Sequence, residues 1–274
     1  MNVLQALILG IVQGATEFLP VSSSAHLRIA KTIMGIADGE HLLYFDLICH
    51  SGTLIALILY LRKEIHEALS NVKTISLFAL GLTPLVPAYF LMKPLRLAAS
   101  DPSYLGYFLI ATSSLLFIAS KKRVLCQEME YQRSPIASQS DLSSCSSIKY
   151  KDVLWIGVMQ TMALLPGISR SGSTIAAARL LGWNWTMAAR FSFLLAIPAV
   201  LGGQMLETLK LIYHPQTTGA SPSIACYLAG FASSLMIGMI GVRFVFRIYA
   251  KGNVTPFAWY CLFLGITAAW AFHG

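Results

Sequence analysis

The chain has 274 residues, 56% of them apolar and only 12% charged, with a formal net charge of +8. An average soluble domain carries about 25% charged residues, so this deficit excludes an ordinary soluble enzyme and points to a polytopic membrane protein. The positive balance does not indicate nucleic acid, because the basic residues sit at the ends of apolar runs and not on an otherwise polar domain.

Residues 2–19 open the chain as an apolar run interrupted by Gly10, Gln13, Gly14 and Glu17. It has no Lys or Arg before Arg28, which argues against a cleavable signal peptide. Gly10 and Gly14 form a small-xxx-small pair that lets another helix approach closely. Gln13 and Glu17 are one turn apart and share a helix face. Pro20 disfavours helix at Leu19, and the serines Ser22, Ser23 and Ser24 can then cap a second short helix, over 25–36, with Ser24 the expected cap and His26 in the first turn. Neither stretch offers the roughly 20 apolar residues of a full span. They read as a re-entrant pair, tolerated only when buried in protein. Arg28 and Lys31, further along, read as side chains that snorkel to the interface.

Three ordinary spans are expected at about 41–62, 74–92 and 103–120, bounded by Arg62-Lys63, Lys73 and Lys121-Lys122-Arg123. Residues 122–150 are charged and then serine-rich, and read as a polar cytoplasmic connector. It separates a first membrane repeat, 1–121, from a second, 151–274. The pattern then recurs. Residues 151–165 are apolar, carry Gly157 and Gln160, and stop at Pro166-Gly167. A polar break, Ser169-Arg170-Ser171-Gly172-Ser173-Thr174, leads into a short helix to about 182, and three spans follow near 186–206, 224–247 and 255–272. The five cysteines (Cys49, Cys126, Cys145, Cys226, Cys261) have neither Cys-x-x-Cys nor metal-ligand spacing, so no disulfide is expected.

The expected fold is an all-α polytopic membrane protein of two inverted repeats, each a re-entrant broken helix pair plus three transmembrane helices. An odd number of crossings per half gives the halves opposite orientations. Placing Arg62, Lys63, Lys73, Lys121, Arg243, Arg247 and Lys251 inside, with the connector, puts both termini outside. Inverted repeats with discontinuous helices place their site where the two breaks meet, near mid-membrane.

Together the breaks hold Glu17, Ser22, Ser23, Ser24, His26, Ser169, Arg170, Ser171, Ser173 and Thr174. An ionisable group in hydrocarbon marks function by default. This inventory suits phosphate: arginine offers a planar fork, hydroxyls and helix-start N–H groups add donors, and a carboxylate can hold a divalent cation. Serine with histidine supplies a nucleophile and a proton carrier. A serine run alone is a cap or a loop, and Arg170 could instead form a structural ion pair with Glu17.

The stretches Gln13-x-x-x-Glu17-Phe-Leu-Pro-Val-Ser-Ser…His26 and Pro166-Gly-Ile-Ser-Arg-Ser-Gly-Ser-Thr174 closely resemble the two signatures of the bacterial undecaprenyl pyrophosphate phosphatases, the UppP/BacA family. Phe45-Asp46, Arg190-Phe-Ser-Phe-Leu-Leu-Ala-Ile-Pro198 and Thr255-Pro-Phe-x-x-Tyr260 fit the same family, and the resemblance covers nearly the whole chain. It implies a bacterial inner-membrane enzyme that removes the terminal phosphate of the C55 isoprenyl diphosphate carrier. The products, undecaprenyl phosphate and inorganic phosphate, return the carrier to peptidoglycan and cell-wall synthesis. It further implies a divalent cation (Mg or Ca) and a link to bacitracin resistance. By the same resemblance Glu17 binds the metal or activates the nucleophile, and Ser23 is the candidate nucleophile. His26 donates a proton to the leaving lipid phosphate or is itself the nucleophile, a metal-bound water being the third candidate. Arg170, with Ser169, Ser171 and Thr174, cradles the diphosphate, with Gln13 and Ser22 on the substrate side. Gln13 stands at the first acidic position of the paired motif, and Cys261 stands where relatives commonly carry arginine. The implied partner is the lipid substrate in the bilayer, with no nucleic acid; a homodimer is allowed. Two rival classes are a transporter of phospholipid carriers, whose architecture inverted repeats share, and an intramembrane Ser–His protease, in which Arg170 has no task.

Overall fold

The computed structural model describes residues 1–36, 42–121, 148–213 and 222–273. Most of the connector expected at 122–150 lies outside these, as do Cys126 and Cys145. Among the described residues every regular element is a helix.

The first half begins with α1, Val3–Thr16, whose N-terminus is closed by a capping box: Asn2 Oδ1 accepts from the Gln5 N–H, and Gln5 Oε1 accepts from the Asn2 N–H. After the break come α2, Ser23–Ile33, and α3, Leu43–Tyr60. A short charged helix, α4, Arg62–Leu69, turns the chain into α5, Val72–Leu82, and α6, Leu85–Leu91. The single span expected at 74–92 is interrupted here, with a turn at Thr83-Pro84. Then α7, Lys93–Ala98, leads to α8, Leu105–Lys121. The second half comprises α9, Tyr150–Thr161, α10, Arg170–Leu180, α11, Trp185–Tyr213, α12, Ile224–Lys251, and α13, Thr255–His273.

Among the described residues six helical stretches are long and apolar enough to cross a membrane: Leu43–Tyr60, Val72–Leu91, Pro102–Lys121, Trp185–Lys210, Ile224–Lys251 and Thr255–Phe272. With α1, α2, α9 and α10 each too short to cross, this is a multi-pass membrane protein. Large apolar side chains such as Val86, Phe90, Met236, Phe263 and Trp270 are exposed, as a lipid-facing surface requires.

Lipid tails give helices no hydrophobic reason to associate, so close packing of small residues holds them together. The Gly10/Gly14 pair does this for α1 against α12. A Cβ on Gly14 would lie 2.8 Å from the Ser234 carbonyl, and one on Gly10 would overlap the Gly230 carbonyl. Gly52 of α3 meets α12 at Ser234 and Phe231. Gly157 of α9 meets Gly81 of α5, and Gly106 of α8 meets Gly265 and Ala269 of α13. The contacts are reciprocal between the halves. The first short helix of each half lies on the second span of the other (α1 on α12, α9 on α5), and the third spans, α8 and α13, pair with one another.

One expectation is corrected. Lys31 does not snorkel: it is buried, and its Nζ donates to Asp46 Oδ2 at 2.6 Å, tying α2 to α3.

Candidate active site

The first break is shaped by Ser22. Its φ of 68° is the one positive φ at a non-glycine among the described residues. A left-handed serine costs of the order of 1–3 kcal/mol and persists only where the surroundings impose it. Ser22, not Ser24, occupies the N-cap position of α2, and its side chain makes no capping bond; Ser22 Oγ and Ser24 Oγ lie 3.2 Å apart instead. Ser24 therefore lies inside the first turn. The bend sets Ser23 at the helix start, where its Oγ donates to Glu17 Oε2 at 2.7 Å.

The second break ends in a conventional cap: Ser169 Oγ accepts from the Gly172 N–H at 3.1 Å. Arg170 follows as the first residue of α10. Its Nη2 donates to Glu17 Oε1 at 2.9 Å, so the carboxylate binds the arginine through one oxygen and the serine through the other. Arg170 Nη1 is buried and has no hydrogen-bond partner among the described residues. Ser171 Oγ donates to the Leu19 carbonyl at 3.2 Å, a second direct tie between the breaks.

A cavity of about 320 Å³ lies where they meet. Its polar wall takes Glu17, Ser22, Ser23 and Ser24 from the first break, with Ser169, Arg170 and Ser171 from the second. Leu47, Leu85, Val200 and Gly203 form its apolar side. Leu47 stands near the start of α3, whose other end is followed by Arg62-Lys63. The cavity thus occupies the half of the helix bundle away from those basic ends.

Residues 6–267 match the family described as "Bacitracin resistance protein BacA". The chain belongs to the BacA family. Proteins named undecaprenyl-diphosphatase are similar to it along nearly their whole length. The one from Protochlamydia amoebophila is 38% identical over 274 residues, 100% of each chain. The one from Carboxydothermus hydrogenoformans is 36% identical over 271 residues, 97% of this chain and 96% of its own. The one from Bacteroides fragilis is 33% identical over 273 residues, 96% and 95% respectively.

In this BacA-family chain not every residue of the two signatures reaches the cavity. Thr174 is buried behind it: its Oγ1 donates to the Arg170 carbonyl at 2.9 Å and lies 2.6 Å from Ser192 Oγ on α11. Gln13 is also buried, its Nε2 donating to Glu17 Oε2 at 2.9 Å. His26 is not on the cavity wall. Its Nδ1 is 2.7 Å from the Ser22 carbonyl, which can only accept, so Nδ1 carries the proton; Nε2 is then the acceptor for Tyr260 Oη at 2.8 Å. Both ring nitrogens are occupied, and the ring stacks on Tyr260 with centroids 5.6 Å apart. Cys261, next in sequence, is buried, with its thiol 3.7 Å from the Pro20 carbonyl of the first break.

Sequence reasoning missed His50. On α3, it lines the cavity, and its Nδ1 lies 2.7 Å from Gln13 Nε2 and 3.4 Å from Glu17 Oε2. An amide nitrogen only donates, so Nδ1 accepts and the imidazole proton is on Nε2. A histidine in an apolar span, one turn after Asp46, was the available signal.

Among the described residues no group of three or more His, Cys, Asp or Glu could hold a metal. Among the described residues Glu17 is the single carboxylate at the cavity, and both its oxygens already accept hydrogen bonds. Such a site does not cage a cation by itself. It fits one that arrives on the substrate, since Mg²⁺ typically binds through one or two carboxylates together with phosphate oxygens.

Proposed function

We propose that the protein hydrolyses undecaprenyl diphosphate to undecaprenyl phosphate and inorganic phosphate. It would do so in the bacterial plasma (inner) membrane, returning the lipid carrier to cell-wall synthesis and contributing to bacitracin resistance. The observation that carries this reading is the division of one carboxylate between a nucleophile and an anion-binding group. Glu17 accepts from Ser23 through Oε2 and from Arg170 through Oε1, while Arg170 Nη1 is buried with no partner among the described residues. A serine hydrogen-bonded to a base, beside a cation with a free donor, is an arrangement for phosphoryl transfer.

In the proposed sequence the diphosphate enters the cavity and its terminal phosphate takes the Nη1 donor of Arg170. Ser23 Oγ attacks that phosphorus as Glu17 takes the hydroxyl proton. The Oγ–P bond forms, the bond from phosphorus to the bridging oxygen breaks, and undecaprenyl phosphate departs. Glu17 passes that proton to the departing lipid phosphate. Water then attacks the phosphoserine, giving a proton to Glu17; the bond from phosphorus to Ser23 Oγ breaks, Glu17 returns the proton to the serine oxygen, and inorganic phosphate is released. Ser169 Oγ, which accepts from the Gly172 N–H, keeps its own proton as a neutral donor on the Arg170 side, while Ser171, whose proton goes to the Leu19 carbonyl, ties the two breaks together. Thr174, through the Arg170 carbonyl and Ser192, fixes the start of α10. His26 positions the first break by binding the Ser22 carbonyl, and so acts through Ser22 and Ser23. A divalent cation (Mg or Ca) held by Glu17 and the phosphate oxygens would offset negative charge on the diphosphate. The apolar wall at Leu47, Leu85 and Val200 receives the first isoprene units. The site is built from one chain, so a homodimer would not be needed to complete it.

The test is phosphate release from a polyprenyl diphosphate by the purified protein, with and without chelator. Release that the chelator suppresses supports both hydrolysis and the cation. Transfer of lipid between leaflets without phosphate release would support a carrier instead.

A further inference from the structure

We propose that Gln160 is a diphosphate-binding residue, its side-chain amide donating to a non-bridging phosphate oxygen from the α9 wall of the cavity. The proposal rests on the phosphatase reading above and extends the site to a wall that no signature residue occupies. Gln160 is 2% exposed, and neither Nε2 nor Oε1 has a hydrogen-bond partner among the described residues. Both atoms are buried, and the residue lines the same cavity as Glu17, Ser23 and Arg170. Buried polar groups in proteins are almost always satisfied, and an amide with neither function paired is a standing cost to stability. A leucine would fill such a position without that cost.

The internal repeat gives an independent reason to look for a ligand. Gly10-x-x-Gln13 at the end of α1 recurs as Gly157-x-x-Gln160 at the end of α9. In the first half the amide is fully employed as a donor, to Glu17 Oε2 and to His50 Nδ1. Its partner Glu17 stands four residues on. Four residues on from Gln160 stands Leu164, which also lines the cavity and offers no polar atom from its side chain. The second half therefore keeps the glutamine while lacking the side chain that its counterpart binds. An oxygen of the substrate is the chemistry that fits, and a neutral amide supplies a donor without adding a second cation beside Arg170.

The experiment is steady-state kinetics on an isoprenyl diphosphate with the full chain, comparing wild type, Gln160→Leu and Gln160→Glu, with a melting temperature for each. Gln160→Leu is expected to lose about ten- to hundredfold in kcat/KM, chiefly through KM, the range for one hydrogen bond to a charged partner. Its melting temperature should equal or exceed that of wild type, because an orphaned buried amide has been replaced by an apolar group. Gln160→Glu, which places a carboxylate against the phosphate, should lose more. Near-wild-type kcat/KM in Gln160→Leu would overturn the proposal while leaving the phosphatase reading intact. A marked fall in its melting temperature would overturn it too, since the amide would then hold the fold. Wild-type protein that releases no phosphate would instead remove the reading on which the proposal rests.

Discussion

Glu17 Oε1 and Arg170 Nη2 lie 2.9 Å apart across 153 residues of sequence, and that contact joins the two breaks in the membrane helices. The pair is not a closed ion pair. The arginine places Nη2 on the carboxylate and holds Nη1 buried, with no hydrogen-bond partner among the described residues. A guanidinium can bind two oxygens at once because its donors form a planar fork, whereas an ammonium is a point charge on a flexible stem. Arg170 is thus suited to bridge Glu17 and a phosphate.

Replacing Arg170 by lysine separates a bridging role from a purely structural one. Lysine keeps the charge and can reach either Glu17 or the phosphate, but it cannot hold both with the same geometry. Arg170→Lys is expected to insert and fold, with a melting temperature near that of wild type, and to lose about 10²–10³ in kcat, the effect of removing one preorganised donor. Turnover and melting temperature measured together check this. A lysine variant with near-normal turnover would leave Arg170 a structural counter-ion.

The serines should divide sharply. Ser23 donates to Glu17 at 2.7 Å, while Ser24 Oγ lies 3.2 Å from Ser22 Oγ and caps nothing. Ser23→Ala should lose about 10³-fold or more in kcat, as expected when a nucleophile is removed and binding remains. Ser24→Ala should stay within a few-fold, with little change in stability. Phosphate release by the single alanine variants, together with acid-stable labelling of serine from a terminally labelled diphosphate, tests this. Equal behaviour of the single alanine variants at Ser22, Ser23 and Ser24 would exclude a serine nucleophile at this break.

His50 provides a third test. His50 lines the cavity beside Gln13 and Glu17, where an imidazole can donate to a bound phosphate. His50→Gln retains a donor of similar reach and should keep activity within about tenfold. His50→Leu should cost about ten- to hundredfold in kcat/KM, the worth of one hydrogen bond to a charged partner. Kinetics on both variants decide it; equal losses would mean that the donor is not used.

Much of this was legible from the sequence because broken membrane helices announce themselves. Gly10, Gly14, Pro20, Pro166 and Gly167 interrupt apolar runs, and the serines and Arg170 that follow have no place in hydrocarbon without a task. The six spans were visible from length and apolar content. The turn at Thr83-Pro84 was not, because the residues on either side remain uniformly apolar. The short helices α4 and α7 were hidden for the opposite reason: they are too brief and charged to show a period. Tertiary partners were out of reach. Nothing in helix spacing says that Lys31 meets Asp46, that His26 turns to Tyr260 while His50 takes the cavity side, or that the Gln13 amide nitrogen is paired while that of Gln160 has no partner among the described residues. Those facts depend on which faces of α2, α3, α9 and α13 are brought together.

The most direct test of the account is phosphate release from undecaprenyl diphosphate by purified wild-type protein and by Glu17→Gln. The substitution keeps the shape of the side chain while removing the negative charge and the proton acceptor on which Ser23 and Arg170 converge. Wild type is expected to release one phosphate per lipid. Glu17→Gln should fold and extract normally yet lose about 10²–10⁴-fold in turnover, the usual contribution of a positioned base. Release by Glu17→Gln at the wild-type rate would contradict it, because the shared carboxylate would then have no part in the chemistry.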